Sequence, residues 1–125
     1  MPDLDQRGVD KIERSLIDIA VEGWRFSRLF TRLLSKLDAG ESSRYVNQLR
    51  YFQNRLEDSL DAVGFRLVNL EGQLFDAGMA ATALNISDFD PNDPLLVEQM
   101  IEPIIMGPDG LKKQGTVLLR RAGNS

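Results

Sequence analysis

The chain has 125 residues, of which 42% are hydrophobic and 27% are charged, and its net charge at neutral pH is −4. It contains no cysteine and no histidine, which excludes thiol nucleophiles, imidazole bases and the usual zinc ligand sets. The acidic balance disfavours nucleic-acid binding, and no apolar run approaches the ~20 residues that cross a bilayer. Because residues 1–5 lack the basic and then apolar order of a secretory signal, we expect a soluble, cytoplasmic protein that binds neither membrane nor nucleic acid.

An apolar seam in the first third of the chain predicts a long helix at about residues 9–38, ending before Gly40. Spacings of three and four residues keep one face of a helix turned towards a partner helix. A second apolar row, which includes Ile17 and Trp24, widens this face and favours a bundle with several neighbours. The seam consists of Val9, Ile12, Leu16, Ile19, Gly23, Phe26, Phe30, Leu33 and Leu37.

A second, shorter helix is predicted from Ser42 or Ser43, either of which is a suitable cap, to Gly64. The link at residues 39–41 is short, so the two helices are expected to be antiparallel neighbours. Two helices cannot enclose their own wide apolar faces, and we therefore predict a homodimer whose centre is a four-helix bundle. The predicted dimer contacts are Ile19, Phe26, Phe30, Leu33, Leu49, Phe52 and Leu56.

After Gly64 the helical period fades, and short β-type runs appear at residues 65–70, 79–86, 95–105 and 116–119. The tetrapeptide Gly107-Pro108-Asp109-Gly110 predicts a hairpin turn. Residues 95–100 are open to two interpretations, a strand or a short helix that begins near Pro94. We therefore predict an α+β fold: a long antiparallel helical hairpin over residues 1–64 that forms the dimeric bundle, and a small, mostly β unit over residues 65–125.

Two local patterns resemble reactive or metal sites, and each has a plainer interpretation. Residues 88–93 offer carboxylates at alternate positions as a calcium loop does, but they lack its glycine and its glutamate, so an acidic turn is favoured. Glu71 and Asp76 suggest a carboxylate pair for acid–base chemistry, but nothing nearby supplies a nucleophile or an orienting base. We predict no metal, no cofactor and no catalytic residue, and hence a protein that is not an enzyme.

A basic stripe is predicted on the first helix, where Arg25, Arg28, Arg32 and Lys36 follow helical spacing. Such a stripe suits an acidic partner. The plainer interpretation is a solvated helix face whose arginine stems cover apolar rims. Arg25, Arg28 and Arg32 are kept as candidate partner contacts beside that interpretation.

The order of these parts resembles GrpE, the dimeric nucleotide-exchange factor of DnaK-type chaperones. The likeness lies in a long helix, a shorter helix that ends in Val63-Gly64-Phe65, and the segment Val68-Asn69-Leu70-Glu71-Gly72-Gln73-Leu74-Phe75-Asp76 before a small β unit. In that family Phe-Asp-Pro follows a glycine where the first strand leaves the bundle. Here Ala77 replaces the proline, Met79-Ala80-Ala81-Thr82 stands in the region of the family's His-Glu pair, and only eight residues precede Val9, where the family has a long paired helical stalk.

The resemblance implies a non-enzymatic homodimer whose β unit presses on the nucleotide-binding domain of a DnaK-type or related actin-like ATPase and promotes ADP release. An exposed methionine or phenylalanine on the β unit suits such a contact, whereas a buried one belongs to the core. The alternative is a scaffold or adaptor protein that has the GrpE-like fold and binds another protein. The partner contacts implied on the β unit are Leu70, Phe75, Met79, Met106, Pro108 and Leu111.

Overall fold

The computed structural model describes residues 2–123, with side chains described from residue 6 onward. This described part divides after Gly64 into a helical unit and a β unit. The fold class is α+β, as predicted. The elements are the helices α1 (Pro2–Leu34) and α2 (Ala39–Asp61), the strands β1 (Arg66–Val68), β2 (Ala81–Ala83), β3 (Leu95–Glu102), β4 (Ile104–Gly107), β5 (Gly110–Lys113) and β6 (Gly115–Arg121), and a 3-10 helix (Ile86–Asp88).

The turn between the two helices lies earlier in the chain than the sequence suggests. α1 ends at Leu34, and Asp38 caps α2 because its Oδ1 accepts a hydrogen bond from the Glu41 N–H at 2.9 Å. The predicted caps are wrong: Ser42 lies inside the helix, and its N–H donates to the Asp38 carbonyl at 2.9 Å. Gly40 therefore belongs to the first turn of α2 and does not end α1.

Contacts between α1 and α2 show that the helices form an antiparallel hairpin, as predicted. A Cβ built on Gly23 would lie 2.9 Å from Leu56 Cδ2. One heptad later on α1, Phe30 meets Tyr45, which comes earlier on α2, in an edge-to-face contact at 6.4 Å between ring centroids. The later residue of α1, Phe30, thus contacts the earlier residue of α2, Tyr45. The two helices therefore run in opposite directions. α1 has 33 residues and α2 has 23, so α1 is the longer of the two.

The β unit consists of two three-stranded sheets, with the orders β1-β4-β5 and β2-β6-β3. Pairing is antiparallel except between β2 and β6, which are parallel. Residues 95–100 belong to β3, so the strand interpretation is confirmed. The predicted run 95–105 is divided at the buried Pro103, which has no N–H for a strand ladder. The largest fully buried side chains here include Val97, Met100, Ile105, Val117 and Leu119.

The tetrapeptide Gly107-Pro108-Asp109-Gly110 forms the turn between β4 and β5, as predicted. Gly107 pairs with Gly110 across the hairpin. Gly110 has φ +129°, a conformation that residues with a side chain rarely adopt.

The segment after β1 lies along the edge of β3 that does not pair with β6. The Gly72 N–H donates to the Val97 carbonyl at 2.9 Å, and the Phe75 N–H donates to the Leu95 carbonyl at 2.8 Å. Glu71 Oε2 accepts the Met100 N–H at 2.8 Å. These bonds satisfy backbone groups that an open strand edge would expose. They also fix the position of residues 71–75 along β3.

Candidate interaction surfaces

The helical unit presents a stripe of exposed apolar side chains along α1. Ile12 is 70% exposed, Ile19 62%, Phe26 59% and Leu33 50%. Each follows the one before it by seven residues, a repeat that keeps side chains in line when two helices supercoil around each other. From Ile12 to Leu33 the stripe is about 32 Å long at ~1.5 Å per residue. Large contiguous apolar patches on protein surfaces are typical of interaction sites.

α2 extends this stripe into a wider apolar surface. Tyr45 and Phe52 of α2 are exposed. Phe26 stacks on Phe30 with ring centroids 6.0 Å apart, and Phe30 in turn contacts Tyr45. The aromatic rings therefore connect the two helices. We call this surface the hairpin face, and it consists of Ile12, Ile19, Phe26, Leu33, Tyr45 and Phe52.

The residues predicted to make dimer contacts divide into two groups. Ile19, Phe26, Leu33 and Phe52 are exposed on the hairpin face. Phe30, Leu49 and Leu56 are half-buried. Leu56 lies against Gly23 and Phe30 against Tyr45, so these two side chains also pack within one hairpin.

A shallow groove, open to solvent, lies on the hairpin face beside Gly23. Its volume is about 500 Å³. Phe52 contributes from α2, where its Cζ would lie 3.5 Å from a Cβ built on Gly23. A side chain added at position 23 would therefore lie between the groove and the interior of the hairpin, against Phe52 and Leu56. The groove is lined by Asp18, Ile19, Glu22, Gly23, Phe26 and Phe52.

The three arginines of the predicted basic stripe lie on α1, whereas Lys36 lies in the turn after the helix ends at Leu34. Arg25 Nη1 lies 3.8 Å from Glu22 Oε1. The Arg28 guanidinium lies 5.5 Å from the centroid of the Trp24 ring, in cation–π geometry. Arg32 is exposed. These contacts fit a solvated helix face, and a binding role for the three arginines stays a prediction.

The six partner contacts predicted on the β unit differ in burial. The prediction is wrong for Leu70, because its side chain is buried in the core. The Leu70 N–H also donates to Met100 Sδ at 3.1 Å. Pro108 and Leu111 are exposed at the β4–β5 hairpin. Phe75, Met79 and Met106 are half-buried, so each offers only part of its surface to solvent.

A second apolar surface lies on the outer side of the sheet β2-β6-β3. Leu118 of β6 alternates with the buried Val117 and Leu119, and therefore faces outward. Leu96 of β3 faces outward in the same way between two buried neighbours. Both leucines are half-buried.

Two more leucines extend this surface at either side of the sheet. Leu74 bridges to Leu96, and Leu84 follows Ala83, which pairs with Val117. Both are 61% exposed. We call this surface the leucine row, and it consists of Leu74, Leu84, Leu96 and Leu118. Strand alternation in the sequence indicates the outward direction of Leu96 and Leu118, but no local pattern links them to Leu74 and Leu84.

Acidic side chains from both sequence patterns, residues 88–93 and the pair Glu71 and Asp76, make hydrogen bonds within the β unit. Asp93 Oδ2 accepts a hydrogen bond from Arg121 Nε at 3.1 Å, and Asp76 Oδ1 accepts one from the Gly78 N–H at 2.9 Å. Glu71 bonds the backbone of Met100, as described above. Within residues 6–123, whose side chains are described, no group of three or more acidic side chains is arranged to hold a metal ion.

Comparisons with known proteins give no relative for this chain: no protein family, no curated protein and no solved structure matches it. In the part of the chain that the structure describes, neither helix combines the length and apolar character needed to cross a membrane. The functional interpretation therefore depends on the hairpin face, the leucine row and the order of the elements.

Proposed function

We propose that this protein is a non-catalytic homodimer that regulates nucleotide exchange on a DnaK-type or related actin-like ATPase, in the manner of GrpE. The observation that carries the proposal is the presence of one exposed apolar surface on each unit. The hairpin face serves self-association, and the leucine row serves the partner. A protein that works by binding needs such surfaces and needs no catalytic group or cofactor of its own.

The size of the hairpin face supports the dimer. Its six side chains leave on the order of 500 Å² of apolar surface exposed, if each large side chain has ~150–250 Å² and about half of it is open. A standard interface buries about 800 Å² per partner, of which a little over half is apolar. The hairpin face therefore supplies the apolar part of such an interface. Two antiparallel hairpins that meet through it form a four-helix bundle.

The position of the GrpE-like segment supports the assignment of the β unit. In that family the corresponding stretch begins the β unit where the chain leaves the bundle. Here residues 70–75 follow the helical hairpin and β1, and they are bonded along β3 through Gly72 and Phe75. Leu74 of this segment belongs to the leucine row, so the segment contributes directly to the surface that we assign to the partner.

Nucleotide exchange by this route is a matter of differential binding. If the leucine row binds the open state of the ATPase more tightly than the closed state, it shifts the ATPase towards the open state and lowers its affinity for ADP. The coupling is reciprocal, so bound ADP weakens binding of this protein by the same factor.

The test is the rate of ADP release from a DnaK-type ATPase, measured with fluorescent ADP in a stopped-flow instrument. Saturating amounts of this protein are expected to accelerate release at least tenfold. Leu84→Asp, which places a charge in the leucine row, is expected to abolish the acceleration while the protein stays folded and dimeric. Gln114→Asp is the matched control, because Gln114 is exposed on the β unit but outside the leucine row.

Two results would contradict the proposal in different ways. Absence of both binding and acceleration would refute the choice of partner. Binding without acceleration would favour the alternative, a scaffold or adaptor protein that has this fold and holds another protein in place.

A further inference from the structure

One edge of the sheet β2-β6-β3 is formed by β2, which pairs with β6 on one side and with no strand on the other. The Ala80 carbonyl accepts the Gly115 N–H at 2.9 Å, and the Leu84 N–H donates to the Val117 carbonyl at 3.0 Å. The extended pairing with β6 therefore covers residues 80–84, a little more of the chain than the strand itself.

The outward backbone groups of this edge belong to Ala81 and Ala83. Alternate residues of a strand direct their N–H and C=O groups to the same neighbouring strand. Since Ala80 and Leu84 bond β6, Thr82 between them also faces β6, and the two alanines face away. In the described part of the chain, no backbone hydrogen bond outside the strand pairs involves either alanine. Their N–H and carbonyl groups are thus open to a further strand.

The other strand edges within residues 65–123 carry features that discourage pairing with another chain. The outer edge of β3 is bonded to residues 71–75, as described above. β5 ends in Lys112 and Lys113, and β1 begins with Arg66. Charged side chains on an edge strand oppose the addition of a strand. β2 has the same three-residue length as β1, but it consists of two alanines and a threonine, with no bulge in its pairing.

The side chains around the edge of β2 favour an apolar strand. Thr82 is exposed on the outer face of the sheet, where it pairs with Thr116. Leu84, two residues later, belongs to the leucine row and is 61% exposed. On the inner face Ala81 and Ala83 are half-buried, and their side chains are only methyl groups. A strand beside β2 therefore has room for large apolar side chains on both of its faces.

The segments on either side of β2 are acidic. Residues 67–111 contain eight aspartate and glutamate residues and no lysine or arginine. Asp76 precedes β2, Asp88 and Asp90 follow it, and all three are exposed. Both ends of a strand added to β2 therefore lie near negative charge.

Basic side chains next to β6 do not offset this charge. Lys113, which precedes β6, lies 3.3 Å from Glu102 Oε1, and Arg121, at the end of β6, lies 3.1 Å from Asp93 Oδ2. Arg120 is exposed, but it lies beyond the part of β6 that pairs with β2. The acidic flanks of β2 therefore favour a partner strand with basic residues at its ends.

We propose that the outer edge of β2 binds an extended segment of a partner protein, which adds to the sheet as a further strand. The segment has apolar side chains in its middle and basic side chains at its ends. Main-chain hydrogen bonds to Ala81 and Ala83 hold it, and Leu84 and the acidic flanks select its sequence. Such binding goes beyond the proposed function, because it needs neither the ATPase nor the dimer.

A fluorescent synthetic peptide, Lys-Lys-Val-Thr-Val-Thr-Val-Lys-Lys, is the probe for this edge. Fluorescence anisotropy is expected to rise and saturate as the full-length protein is added at concentrations below the millimolar range. The matched peptide with glutamates in place of the lysines is expected to bind at least tenfold more weakly. Absence of saturable binding by the lysine peptide would overturn the proposal, and equal binding by the two peptides would overturn the selection by charge.

Two N-methylated versions of the lysine peptide distinguish strand addition from other modes of binding. Alternate N–H groups of a strand face the same side, so methylation of one alternate set removes the donors that face β2, and methylation of the other set keeps them. One version is expected to lose at least tenfold in affinity, and the other is expected to bind like the unmethylated peptide. Equal affinities of the two versions would overturn the proposal.

Ala83→Pro tests the edge on the side of the protein. It removes an outward N–H of β2 and leaves the bonds of Thr82 and Leu84 to β6, a position in which an edge strand tolerates proline. The affinity for the lysine peptide is expected to fall at least tenfold. Ala83→Ser is the matched control, because it keeps the N–H and is expected to bind like the unmodified protein. Unchanged affinity in a folded Ala83→Pro protein would overturn the proposal.

Two further outcomes are distinguished by the same proteins. If circular dichroism shows that Ala83→Pro has unfolded, the N-methylated peptides, which are used with the unmodified protein, still decide. Sedimentation velocity tests for a second copy at the edge: a dimer that becomes a monomer in Ala83→Pro would overturn the assignment to a partner protein. None of these measurements depends on the release of ADP.

Discussion

Asn85 shows how one side chain completes a sheet in the β unit. Its Nδ2 donates to the Leu119 carbonyl and its Oδ1 accepts the Leu119 N–H, each at 2.9 Å. β2 ends two residues earlier, at Ala83. The side-chain amide therefore continues the pairing with β6 after the backbone of β2 has turned away. Because both bonds are partly buried, loss of the amide leaves two backbone groups of β6 without partners.

Asn85→Ala is accordingly expected to lower the free energy of unfolding by about 2 kcal/mol. Urea denaturation, monitored by far-ultraviolet circular dichroism, measures the change. Asn92→Ala is the control, because Asn92 is exposed in a loop and its substitution is expected to change stability by less than about 0.5 kcal/mol. Equal effects of the two substitutions would contradict this role of Asn85.

At the scale of elements, β3, β4 and β6 come together at Gly115, the first residue of β6. A Cβ at this position would lie 2.7 Å from Met100 Cε, 3.0 Å from Ile104 Cγ1 and 3.1 Å from the Glu102 carbonyl. The glycine is buried. Its small size lets β6 approach the point where the chain passes from β3 to β4 around Pro103. The two side chains could shift to make room for a Cβ, but the Glu102 carbonyl belongs to the backbone and cannot move as easily.

Gly115→Ala is therefore expected to destabilise the protein by about 1–3 kcal/mol through overpacking. Gly8→Ala provides the opposite comparison: Gly8 lies within α1 with nothing near a built Cβ, so alanine there is expected to stabilise by up to about 1 kcal/mol. Thermal unfolding of both variants checks the pair. A stabilising Gly115→Ala would show that β6 has room to move.

At the scale of the whole molecule, two neighbouring aromatic residues of the helical unit differ in role: Phe30 contributes to the stability of one hairpin, and Phe26 to the proposed association of two. Phe30 is half-buried and contacts both Phe26 and Tyr45. Phe26 is largely exposed and lines the groove. A charge at Phe30 thus disturbs a single hairpin, whereas a charge at Phe26 mainly disturbs the surface that we assign to the second copy.

Phe26→Asp is expected to yield a folded monomer, because an exposed carboxylate costs little until a partner desolvates it. Phe30→Asp is expected to lower the free energy of unfolding by about 1–3 kcal/mol, because it removes a half-buried ring that contacts Phe26 and Tyr45. Sedimentation velocity reports the first effect and urea denaturation the second. A Phe26→Asp protein that remains a dimer would contradict the role given to the hairpin face.

Local sequence patterns determined the two helices, the antiparallel hairpin, the α+β class and the β4–β5 turn, because the periodicity of a helix and the chemistry of a turn are set by residues close together in the chain. Both ends of α1 differ from the prediction: the helix begins at Pro2 and not near Val9, and it ends at Leu34, since Asp38 caps α2 before the serines that also suit a cap. The sequence predicted seven dimer contacts on a wide apolar face, but it could not tell that Ile19, Phe26, Leu33 and Phe52 are exposed while the other three are half-buried.

Only the tertiary structure decided that Leu70 is core and that four leucines form a row. Leu74, Leu84, Leu96 and Leu118 come from separate parts of the β unit, and they become neighbours through the pairing of β2, β6 and β3 and through the bridge from Leu74 to Leu96. The register of strands that are distant in sequence is set by the packing of the whole core, which no local pattern contains. That is why the helical surface was visible in the sequence and the surface of the sheet was not.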